Sequence, residues 1–139
     1  MNGCSRPLVL AALVFLAGAA WAQEEAALDT RLEDGTSAFY SGLAALEMGL
    51  FERAATDFGR ASELLPEEPA VTVNLGVLEM RKGNDTRARE LFASARERAP
   101  RNADIALLIG LLERRAGNTE AALKSLRRAA RLAPGALKP

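Results

Sequence analysis

The sequence predicts an all-α protein, a solenoid of stacked helical hairpins, and a few columns of residues predict it. Pro66, Pro100 and Pro134 stand 34 residues apart. Gly42, Gly76 and Gly110 keep the same period, as do Gly49, Gly83 and Gly117. Ala54, Ala88 and Ala122 follow it, with Ala61, Ala95 and Ala129, and with Phe58, Phe92 and Leu126. A fixed period of this length marks a repeat architecture, in which each unit buries its apolar face only against its neighbours. Such a stack favours a binding function over an enzymatic one.

The period divides the chain into units at 35–68, 69–102 and 103–136, flanked by a leader at 1–22, a short tail at 23–34 and a terminal tail at 137–139. In the middle unit, Val73, Val77 and Met80 form one apolar stripe and Leu91 and Ala95 another, at helical three- and four-residue steps. Gly83 follows the first stretch, where helices commonly end on a left-handed residue. Asp85 or Thr86 is placed to cap the second helix, and Thr119 does the same in the third unit. Pro100 cannot continue the second helix and closes the unit.

Gly42, Gly76 and Gly110 fall inside helices, where glycine costs about 1 kcal/mol relative to alanine. Three such costs at one register predict a close approach of two helices. Ala54, Ala88 and Ala122 are expected on the opposing surface, with Phe58, Phe92 and Leu126 filling the space one turn further on. The last helix is expected over about Thr119 to Leu132, leaving Leu123, Leu126 or Leu132 partly open or covered by association. The tail from Gln23 to Asp34 has an alternative, an added turn of helix through Ala26–Leu32.

These columns resemble the tetratricopeptide repeat. Leu75-Gly76 and Ile109-Gly110 match its Leu-Gly pair, and Ser41-Gly42 is a weaker version. The turn glycine and the Ala, large apolar, Ala and Pro columns match in all three units. The resemblance covers about residues 35–134. The chain departs from the pattern where Ala38, Thr72 and Ala106 replace the repeat-start Trp, and where Ala45, Glu79 and Glu113 replace a Tyr. Val71-Thr72-Val73-Asn74 also resembles the start of a pentatricopeptide unit, but the other two units lack it and the period is 34. The tetratricopeptide resemblance implies a right-handed superhelix of three hairpins whose inner wall comes from the first helix of each unit.

On that wall the resemblance places Phe39, Leu43, Val73, Val77, Leu107 and Leu111, with Tyr40, Asn74 and Leu108 beside them and Arg114 and Arg115 at a basic end. It implies a concave groove that takes an extended segment or amphipathic helix of another protein. Several of these side chains are equally suited to inter-repeat core. Relatives that grip a chaperone's C-terminal carboxylate carry Lys, Asn and Arg at positions held here by Phe39, Leu43, Asn74, Asp104 and Leu108. Only Asn74 matches, so that specialisation is not expected.

Residues 1–22 break the period. Arg6 gives a positive start, Leu8 to Ala20 form an apolar run, and Ala20-Trp21-Ala22 presents small residues for cleavage before Gln23. The run is shorter than the roughly 20 residues that span a bilayer. The expectation is a secretory signal and a periplasmic or secreted bacterial protein, with membrane contact only through an uncleaved leader. Cys4 precedes the apolar run, so it is not placed as a lipoprotein's acylated cysteine. Cleavage leaves 117 of the 139 residues and no cysteine.

The chain contains no histidine. Histidine-based triads, cysteine nucleophiles and the usual zinc ligand sets are therefore excluded from the mature protein. The glycines form no phosphate-binding loop. Glu67-Glu68, the densest carboxylate pair, lies between Pro66 and Pro69 and reads as a solvated turn. No enzyme, cofactor or metal is expected, and few aromatic residues are placed to stack nucleic-acid bases.

A net charge of zero hides a separation. Gln23 to Glu79 holds 3 basic and 12 acidic residues, and Met80 to Pro139 holds 14 basic and 6 acidic. Solvation of outer faces, steering of an acidic partner, and head-to-tail self-association all fit such a gradient. The second reading of function is accordingly a self-assembling structural unit, a homo-oligomer joined through its oppositely charged ends or its uncapped C-terminal helix.

Overall fold

A computed structural model describes the backbone of residues 6–133 and the side chains of residues 21–133. Cys4, Pro134 and the 137–139 tail lie outside the described residues. Among the described residues six helices follow one another: α1 (Arg6–Glu47), α2 (Phe51–Leu64), α3 (Pro69–Lys82), α4 (Asp85–Arg98), α5 (Ala103–Arg115) and α6 (Thr119–Leu132). They pair as hairpins α1/α2, α3/α4 and α5/α6, and the first helix of each new hairpin packs on the one before. The described residues contain no strand, and the architecture is the predicted α-solenoid.

Each hairpin turns by the same chemistry. Gly49, Gly83 and Gly117 adopt φ of 73°, 87° and 80°. This left-handed conformation lets the next residue donate back to the carbonyl five positions earlier: Leu50 to Ala45, Asn84 to Glu79 and Asn118 to Glu113, at 2.8, 2.8 and 2.9 Å. The pattern closes a helix C-terminus and favours glycine there. Pro66 and Pro100 follow the second helices α2 and α4.

The helix starts differ from expectation. Asn84 and Asn118 stand at the N-caps of α4 and α6, and neither makes a side-chain cap bond. The turn brings each Asn beside the Glu five residues back, and its amide donates there instead, at 2.7 Å to Glu79 and 2.7 Å to Glu113. Asp85 and Thr119 are the first helical residues, not caps. Side-chain caps occur instead where hairpin meets hairpin: Glu68 accepts from the Ala70 amide, and Asn102 accepts from those of Asp104 and Ile105.

The interior glycines face the aromatic column directly. A Cβ on Gly42 would stand 2.6 Å from the Phe58 ring, one on Gly76 2.5 Å from Phe92, and one on Gly110 2.8 Å from Leu126. The large residue, rather than the alanine expected there, lies against the bare backbone. Phe58 and Phe92 are fully buried as a result. Burial of each such side chain contributes about 3 kcal/mol. Ala54, Ala88 and Ala122 are also buried and line the same interiors. The core is continuous: Leu78 of α3 enters the cluster of Ala45, Leu46, Ala54 and Phe58, and Leu112 of α5 joins Ala88 and Phe92.

Residues 23–34, expected as a short tail, are helical and continuous with the first hairpin. No proline or positive-φ residue interrupts the chain between Pro7 and Gly49. Ala, Leu and Glu dominate 22–34 and favour helix. The 42-residue α1 runs about 63 Å, three times the 14-residue α2. The two helices separate near Arg31, whose Nε and Nη2 donate to the carbonyls of Leu64 and Glu63 at 3.2 and 3.1 Å. Residues 21–34 are all exposed. No described helix is long and apolar enough to cross a membrane.

Candidate functional site

The residues expected on the concave wall differ in burial and in role. Phe39 and Leu43 are half-buried against the first core cluster, and Val73 and Leu108 against the second. Val77 touches both clusters. These five contribute to inter-hairpin packing. Tyr40 is open to solvent at 64% exposure, its ring set edge-on to Phe39 at 5.6 Å. Leu107 is 42% exposed, Leu111 is half-buried and Arg114 is exposed.

Arg115 has a different task. Its Nη1 donates to the Met80 carbonyl at 2.8 Å, and its Nε stands 3.2 Å from Asp85. Arg81 does the same one unit earlier, donating to the Leu46 carbonyl at 2.9 Å. Each guanidinium is a second donor to a carbonyl in the last turn of the preceding hairpin's first helix, which also accepts from the turn glycine, at the negative end of the helix dipole. Other arginines act alike across turns: Arg98 donates to the Pro66 carbonyl, and Arg128 to that of Pro100 at 2.8 Å.

Ion pairs also link the helices, and among the described residues only Lys82–Glu52 joins the acidic half to the basic half. Lys82 meets Glu52 at 3.7 Å, Arg89 meets Glu113 at 3.0 Å, and Arg60 meets Asp34 at 3.4 Å. Glu113 is the most enclosed of these carboxylates. The Asn118 amide, and then the Arg89 guanidinium, donate to it and hold its pKa below the ordinary 4.5. Lys124, Arg127 and Arg131 on α6 form no ion pair among the described residues.

Two of the expected wall residues share one recess. Val73 and Asn74 line a hollow of about 290 Å³ between the starts of α3 and α5, together with Glu68, Ala70, Asn102, Asp104 and Ile105. Asn74 spends one of its two N–H donors on the Ala70 carbonyl at 2.8 Å. Glu68 and Asn102 point their oxygens at helix-start amides. The recess thus combines the apolar side chains of Val73 and Ile105 with the capping oxygens of Glu68 and Asn102. Ala70, Asn102 and Ile105 were not singled out from sequence, and Glu68 was read only as part of a solvated turn. Ala70 and Asp104 occupy the second position of the repeat, which was the available signal. Among the described residues no cluster of acidic, cysteine or histidine side chains is arranged to hold a metal.

A sequence profile of the tetratricopeptide repeat matches residues 41–100 and 86–136. Among solved structures, the Arabidopsis OM64 TPR domain superposes with a TM-score of 0.70 at 17% identity, covering 75% of this chain and 86% of that one. A crystal structure of MamA gives 0.68 at 19% identity, covering 76% and 62%. MamA of MSR-1 gives 0.65 at 20%, covering 81% and 64%, so the chain spans less than two thirds of either MamA structure. At these identities the likeness is one of fold. No curated protein matches the sequence.

Proposed function

The chain belongs to the tetratricopeptide repeat family, and from that premise we propose that it is a non-enzymatic scaffold of a bacterial cell envelope, three repeats behind a cleaved secretory leader, holding a segment of a partner protein against the wall of α1, α3 and α5. Proteins of this family and fold are generally protein–protein interaction scaffolds. The observations that carry the reading are the recess at Val73 and Asn74 on α3 and the uncovered Tyr40 ring on α1. A solvent-open aromatic ring and a mainly apolar hollow edged by capping oxygens suit an anchor side chain and its backbone amides. The leader supports the envelope location through its Arg6 start, its apolar run and its Ala20-Trp21-Ala22 end.

The test is residue-specific photo-crosslinking in cells of the source organism. Probes at positions 40 and 74 are expected to trap one partner protein, and a probe at Thr56, exposed on α2, is expected to trap none. Leu111→Asp is expected to reduce the adduct while leaving helical circular dichroism unchanged. Equal trapping from positions 40 and 56 refutes the site. The mass of the isolated protein checks the location: a chain beginning at Gln23 in the periplasmic or extracellular fraction supports it, and an intact leader in the cytosol overturns it.

A further inference from the structure

Among the described residues the stack has an open apolar groove at the α5/α6 hairpin and an uncovered helical arm at the other end. In the first two hairpins, the groove between the paired helices receives the next hairpin's first helix. Val71, for example, packs on Ala38 and Ala61, with Phe39 and Leu65 alongside. At the same register the third hairpin carries Leu107, Ala129 and Ala133, with Leu126 where Phe58 stands. These residues line an open apolar groove of about 390 Å³, bordered by Asp104 and Ala130. Leu107 is 42% exposed because no described helix follows to cover it.

The α1 arm carries a suitable insert. Leu28 and Leu32 are four residues apart on one helix face, 54% and 46% exposed, beyond the end of α2. The helices that fill the internal grooves use the same spacing, at Val71 and Leu75 and at Ile105 and Ile109. The net charges of arm and last helix are opposite: residues 23–34 carry five acidic side chains and one basic, and α6 carries four basic and one acidic; the basic side chains flank the groove, whose one charged lining residue is Asp104. The arm cannot reach its own groove, because it continues the first helix rigidly at the opposite end of the stack.

We propose that the acidic α1 arm of one copy docks in the terminal groove of a second, with Leu28 and Leu32 entering beside Leu107 and Leu126. The contact is head-to-tail, so repeating it builds open chains, or a ring where the rotation closes. Simple end-on stacking through the flank of α1 would not serve: at the register of Val71, Leu75 and Leu78, α1 offers Ser37, Ser41 and Ala44. This groove adjoins the recess at Val73 and Asn74 and shares Asp104 with it, but the two readings are tested apart: crosslinking at positions 40 and 74 reports a foreign partner on the wall, and association of the isolated chain reports the groove.

Sedimentation velocity on the full chain, and on the form beginning at Gln23, tests it. The wild type is expected to form concentration-dependent oligomers that weaken from low salt to 0.5 M, because paired surface charges are screened. L28D/L32D and Leu107→Asp are each expected to weaken association by about tenfold or more, with circular dichroism unchanged. Mixed in equal amounts, the two variants retain one intact arm and one intact groove between them, and are expected to form dimers and nothing larger. A wild type that stays monomeric at about 100 µM in low salt, where a contact of micromolar Kd is saturated, overturns the proposal and leaves the groove to another chain. So does a Leu107→Asp protein that assembles normally, or a variant mixture that stays monomeric.

Discussion

Alanine substitution at two helical glycines is expected to act in opposite directions, and the difference isolates the contact that sets hairpin geometry. Gly59 lies in α2 with nothing within 4 Å of a built Cβ, so Gly59→Ala collects only the helix-propensity gain of about 0.5–1 kcal/mol. Gly76 offers the same gain, but its Cβ would stand 2.5, 2.8 and 3.2 Å from three atoms of the Phe92 ring. Phe92 is fully buried against Ala88 and Leu112, so the ring has nowhere to retreat without parting α3 from α4. Overpacking of this kind costs about 1–3 kcal/mol. Gly76→Ala is therefore expected to be net destabilising by about 1–2 kcal/mol, while Gly59→Ala stabilises. Urea unfolding followed by far-ultraviolet circular dichroism measures both. In a Phe92→Ala background the obstruction is gone, and Gly76→Ala is expected to become stabilising. A Gly76→Ala protein as stable as the Gly59→Ala protein would refute the claim that the ring lies on the glycine.

Phe92→Ala alone is expected to cost about 3–5 kcal/mol, as other buried aromatic truncations do. Leu126→Ala, at the same register but half-buried in the open terminal groove, is expected to cost about 1–2 kcal/mol, which thermal or urea denaturation resolves. Arg115→Ala releases the Met80 carbonyl and Asp85. The side chain is about half exposed, so solvent screening limits the loss to roughly 0.5 kcal/mol, and repeating the measurement in 0.5 M salt is expected to shrink the ion-pair part of that loss. For Glu113, the folded-state pKa lies below the unfolded one, so its ionisation supports the fold above the ordinary carboxylate range. That support is lost as pH falls through the lowered value. A titration of unfolding midpoint against pH is expected to show a shallower acid-side decline in Glu113→Gln than in wild type.

The 34-residue recurrence of Pro66, Gly76, Gly83 and Phe92 was enough to specify helical hairpins and their order, because each of those residues answers a local demand. A chain stop, a bare helix face, a left-handed turn and a large filler are requirements of the backbone within one unit, and they leave their mark on composition. Three matters were decided only in space. The roles of Val77, Leu108 and Arg115 depend on how far each new hairpin rotates on the last, which places the first two in the core and turns the third into a carbonyl clamp. The amides of Asn84 and Asn118 left the helix starts because the glycine turn set a carboxylate within reach. And α1 ran on without a break into a solvent-facing arm, because helix propensity continues wherever nothing stops it, whereas the end of its companion α2 fixes where its apolar face loses cover.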